Sequence, residues 1–107
     1  MGPRPWKPDV ELDGALERGD LEYAITLAVD VASERHAPID LDTALRFLPL
    51  VIAQRLNEYD GWSLRWLGRW ISETPGATVE QAAEIAGSLA DLPAEPSALE
   101  AIRMSQR

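Results

Sequence analysis

The decapeptide Ala15-Leu16-Glu17-Arg18-Gly19-Asp20-Leu21-Glu22-Tyr23-Ala24 decides how the chain is read. A helix over Asp9–Arg18 must stop at Gly19, which tolerates the left-handed backbone of a helix end. Asp20 can then accept a bond from the free amides of a second helix, which starts at once. In that helix Leu21, Ala24, Ile25, Ala28, Val29 and Ala32 recur at helical spacing. Leu27 and Val31 fall outside this set, so the helix is expected to touch neighbours on two sides. Two helices joined by two residues can only fold back on each other.

The rest of the chain repeats the pattern. Pro38 closes the second helix, and Asp40 or Asp42 caps a third, with Leu41, Ala44, Leu45, Leu48, Ile52, Leu56 and Tyr59 on its buried face. Pro49 removes the bond to residue 45 and disfavours helical geometry at Leu48, predicting a kink or two short helices meeting near 48. A fourth helix spans about 61–73 and ends at Thr74-Pro75-Gly76. Thr78-Val79-Glu80-Gln81 has a capping-box pattern and starts a fifth helix that Pro93 ends. Its expected inward side is Val79, Ala82, Ala83, Ala86, Leu89 and Ala90, with Glu80, Glu84, Ser88 and Asp91 outward. Ser97-Ala98-Leu99-Glu100 repeats the capping pattern before a last helix. The apolar run Phe47–Ala53 would suit a buried strand, but no second strand exists to pair with it. The fold class is therefore all-α: five or six short helices in a single domain over 9–107, stacked as antiparallel hairpins, behind an extended proline-rich arm at 1–8.

The stretch Ala15–Ala24 resembles the helix–Gly-Asp–helix turn of tetratricopeptide-type repeats, with Ala24 at the close-packing position. It covers ten residues, and no second copy stands 34 residues further on, so it implies a helical hairpin and nothing beyond it.

Composition narrows the function. The 107 residues include no cysteine and one histidine, which excludes disulfides, thiolate zinc sites, iron–sulfur clusters, cysteine nucleophiles and His–His metal sites. The net charge of −8 argues against a phosphate-backbone binder. That charge is uneven: residues 43–72 carry four arginines against Glu58 and Asp60, between two acidic flanks. The amino terminus lacks the apolar stretch of a signal peptide, and the longest apolar run is seven residues against the ~20 that cross a bilayer. The expectation is a soluble, cytoplasmic protein with no membrane partner.

The fourth helix concentrates the recognition chemistry. Trp62, Trp66 and Trp70 lie one turn apart, and with Leu64, Leu67 and Ile71 they form an apolar arc about 200° wide, twice a core-facing stripe. Arg65 and Arg69 stand opposite as a like-charge pair that something anionic should relieve. Core packing accounts for such tryptophans in the first instance. Trp and Arg are also enriched at interface hot spots, so Trp62, Arg65, Trp66, Arg69 and Trp70 are the candidate surface for a partner or ligand.

Other constellations read structurally. His36, beside Arg35 at a helix end, complements the helix dipole. Asp40 and Asp42 are caps rather than metal ligands, and Ser33 and His36 on one helix lack nucleophile geometry. Thr78–Gly87 resembles the first helix and turn of a helix-turn-helix, but the next turn offers Asp91 and no base to a phosphate backbone.

No catalytic residue, metal or cofactor is assigned. The expected function is a non-catalytic protein–protein interaction or regulatory module, partnered by another protein or by itself as a homodimer. The alternative is binding of an anionic or flat ligand at the Trp/Arg helix; helix-turn-helix DNA binding ranks below both.

Overall fold

The computed structural model describes residues 7–106, so Trp6 and the rest of the arm before Lys7 lie outside the described residues. The chain is all-α, with no strand among the described residues. Contacts divide it at Asp40/Leu41 into two units.

The first unit is one helical hairpin. Helix α1 spans Pro8–Arg18 with proline at its first position, where a missing amide costs nothing. Gly19 terminates it at φ 75°, and its amide satisfies the carbonyls of the last turn. Helix α2 spans Leu21–Arg35, and the Asp20 carboxylate accepts a bond from the Tyr23 amide. Leu12, Ala15 and Leu16 of α1 are buried, as are Leu21, Ala24, Leu27 and Val31 of α2. Ala24 has no exposed surface, as the repeat-like turn implies.

Leu27 and Val31 thus belong to the principal face of α2, and Val29 is exposed. The series 21, 24, 27, 31 carries Leu21, Leu27 and Val31 around Ala24, and their burial outweighs that of Ile25, Ala28 and Ala32. The hairpin is also pinned at its open end, where Arg35 of α2 pairs with Asp9 of α1. His36 closes α2 in the left-handed region at φ 53°, its amide satisfying Ala32 and Ser33.

The second unit begins with α3, Leu41–Leu45, and α4, Phe47–Gln54. These are the two halves of the third helix expected from sequence, but they meet at Arg46 rather than near 48. Pro49 then falls in the first turn of α4, where its lacking N–H would be unsatisfied anyway. A single 3₁₀ turn, Leu56–Glu58, leads into α5, Tyr59–Glu73. It leaves Leu56 exposed, contrary to the expected buried face, while Phe47 and Val51 join Leu45 and Leu48 in the core.

Helix α6, Val79–Asp91, starts with the Thr78/Gln81 capping box fully formed. Helix α7, Ala98–Ser105, does not repeat it: Ser97 has helical dihedrals and caps nothing, and Glu100 pairs with Arg103 instead. An N-cap residue needs extended backbone to turn its hydroxyl back on the helix, which Ser97 lacks. Helix α5 packs on α3, α4 and α6, and α6 packs on α7.

Candidate functional site

Helix α5 is the hub of the second unit, and its tryptophans have three different fates. Trp66 and Trp70 are each 3% exposed. Burial of such rings stabilises by about 1.5–3 kcal/mol apiece. The Trp66 Nε1–H donates to the Leu41 carbonyl at 2.9 Å, tying α5 to the start of α3. Both are core residues and present nothing to a partner.

Trp62 is half-buried at the edge of this core. It stacks on Phe47 with ring centroids 5.8 Å apart and planes inclined by 17°. The Arg65 guanidinium lies 5.6 Å from its ring centroid, a cation–π contact. Its Nε1–H donates to the Glu58 carboxylate at 3.4 Å. Arg69 pairs with Glu73 one turn on, at 2.8 Å. The anion that relieves the arginine pair is thus Glu73 of the same helix, and the ring of Trp62 accommodates the other cation. Of the five residues singled out in the sequence, Trp62, Arg65 and Arg69 reach the surface together, on the α4 side of α5.

The other flank of α5 is different in kind. Leu64 is 67% and Ile71 49% exposed. Between α5 and α6 runs a groove of about 340 Å³ lined by Tyr59, Asp60, Ser63, Leu64, Leu67, Ala86, Leu89, Ala90 and Pro93. Val79 is 86% exposed at the start of α6. The buried face of α6 is Ile85 and Leu89, continued by Leu92. Val79, Ala83 and Ala90, expected inward, are exposed. The larger Ile85 side chain takes the core position and rotates the small residues outward. Periodicity could not reveal this, because Ala82, Ala83, Ala86 and Ala90 form an apolar arc of their own beside Ile85 and Leu89.

The groove is closed at one end by a specific bond. The Tyr59 hydroxyl donates to the Leu89 carbonyl at 2.7 Å. In an uninterrupted helix that carbonyl would accept from residue 93, and residue 93 is proline. Tyr59 therefore supplies the donor that Pro93 withholds. Burial, with a smaller contribution from the Asp60 carboxylate, pushes the phenol pKa up to about 12. The Ser63 hydroxyl, also buried, donates to the Asp60 carbonyl at 3.0 Å.

The remaining candidates take structural places. Gly87, where a helix-turn-helix would turn, lies inside α6, which runs on to Asp91. The two-helix geometry of that motif is absent from residues 78–91. His36 shares a shallow polar depression with Asp30, Ser33 and Glu34. Among the described residues no three His, Asp or Glu side chains are grouped to hold a metal ion, and no helix is long and apolar enough to cross a membrane. Compared with protein-family models, curated proteins and solved structures, the chain matches none.

Proposed function

We propose that this protein is a non-catalytic protein-interaction module whose working surface is the outer face of α5 and α6. The observation that carries this reading is the exposure of Leu64 in the apolar groove between these helices, with Ile71 of α5 and Val79 of α6 exposed outside its lining. Single exposed leucines are ordinary, but large side chains grouped around one apolar groove mark a site of association. The tyrosine with a raised pKa supports a structural role over acid–base work, since its hydroxyl is engaged by the Leu89 carbonyl. The ligand reading loses its stacking platform, because Trp62 already carries Phe47 and Arg65.

The reading is tested with a photo-crosslinking amino acid at Leu64, and at exposed Val29 in α2 as control, in cells that make the protein. Covalent adducts to polypeptide are expected from position 64 and not from 29. Equal yields at both positions, or none at 64, would contradict it.

A further inference from the structure

We infer that the occupant of the α5–α6 face is a second copy of this chain, which names the partner of the surface proposed above and rests on that reading. Charge is distributed unevenly across the face. Leu64, Leu67 and Ile71 lie on the groove side of α5, and Arg65 and Arg69 lie beyond them on the side turned to α4. On α6, Ala86 and Ala90 line the groove, and Glu80, Glu84 and Asp91 lie beyond on the far side. The face is therefore an apolar band with Asp60 at one end of its groove, an acidic edge along α6, and an α5 edge whose cation is Arg65, since Arg69 is already paired with Glu73.

Such a band is complementary to itself. A two-fold axis parallel to the groove exchanges its edges, setting α5 of one copy over α6 of the other. Each basic edge then meets an acidic edge, twice over. The alternative axis, across the groove, sets arginines on arginines. The charges are also available for the purpose. Glu80, Glu84 and Asp91 form no ion pair among the described residues, and neither does Arg65.

Two helix-interior glycines fit the same arrangement. A Cβ built on Gly68 of α5 or Gly87 of α6 meets nothing within 4 Å, and both positions are exposed. Among the described residues no contact calls for glycine at either place, although each weakens its helix. Both lie on the outer side of the face, where glycine lets the backbone of a facing helix approach closely.

Size sets the strength of the contact. Helices of 15 and 13 residues are each about 20 Å long, so the pair offers a face of roughly 500 Å² per copy. About 1,000 Å² in total is the lower end for a specific interface, which places the contact among weak, reversible ones. The dimer is expected to weaken as salt is raised, because its edges are ionic.

Sedimentation equilibrium of the full chain tests this, with circular dichroism confirming that each variant remains folded. The wild type should dimerise reversibly, and L64E should weaken the dimer about tenfold or more. R65E and E84R should each weaken it, and the R65E/E84R double variant should recover to within about threefold of wild type. G68A and G87A should weaken it while making the monomer harder to unfold. Val29→Glu should change nothing. A monomer up to roughly millimolar concentration, or a dimer sensitive to V29E and not to L64E, would overturn the second copy as occupant. Crosslinks from position 64 to other proteins, with a strictly monomeric chain, would overturn this inference and leave the interaction module standing.

Discussion

Tyr59→Phe removes one oxygen atom and leaves a helix carbonyl without a donor. Leu89 is 3% exposed, so water is not at hand to replace the phenol. An orphaned buried carbonyl costs about 1–3 kcal/mol, beyond the ~1 kcal/mol of an ordinary hydrogen bond lost between two solvated groups. In a chain of this size that corresponds to a drop in Tm of roughly 5–15 °C.

The size of the loss depends on residue 93. Pro93 creates the vacancy, so Pro93→Ala supplies an amide that can reach the Leu89 carbonyl, because Leu92 is already helical. Urea unfolding of the four proteins of this cycle should show the Y59F penalty shrinking by about 1 kcal/mol in the P93A background.

The same bond sets an alkaline limit. The phenol ionises near 10 in the unfolded chain and near 12 in the fold. Above pH 10 the unfolded state loses a proton that the folded state keeps, so unfolding is favoured as pH rises. Tyr59 thus contributes fully below pH 10, and its contribution falls between 10 and 12 by at most about 1.4 kcal/mol per pH unit. The difference between wild type and Y59F isolates this slope from every other titration. An identical Y59F penalty with and without Pro93, or parallel pH curves for the two proteins, would refute the reasoning.

Two further outcomes follow from the helix ends. His36→Gly relieves a left-handed backbone at φ 53° and should raise stability by about 0.5–1 kcal/mol in thermal unfolding; no gain would mean that the imidazole has a stabilising contact. Thr78→Ala should cost about 1 kcal/mol, because it destroys a formed capping box, whereas Ser97→Ala should be neutral within about 0.5 kcal/mol, because Ser97 caps nothing.

The all-α fold and its hairpins were legible because the stop and start signals are local. Gly19, Asp20 and Thr78 act within one turn of themselves, and each does what its chemistry predicts. Pro49 was read correctly as a break, but its position was not, since a proline can equally end one helix or sit inside the first turn of the next. The faces of α2 and α6 were misjudged where alanine blurs the period: Val29, Val79 and Ala83 were expected inward and are exposed. Which of Leu, Val and Ala wins the core depends on side-chain volume and on the facing helix, not on spacing alone.

The same ambiguity governs the site. The broad apolar arc of α5 was wider than one core stripe needs, but the wheel does not say which part of it is buried. The structure gives the core to Trp66 and Trp70 and the surface to Leu64 and Ile71, the reverse of the emphasis that tryptophan invites.

The claim that the Leu64 side of α5 faces a second copy is tested most directly by amide NMR during dilution. Across a range from roughly 1 mM to 10 µM, resonances of Leu64, Gly68, Ala83 and Gly87 should move together along one binding curve while those of α1 and α2 stay fixed. Resonances that do not move, or that move around Trp62 and Phe47 instead, would contradict the account.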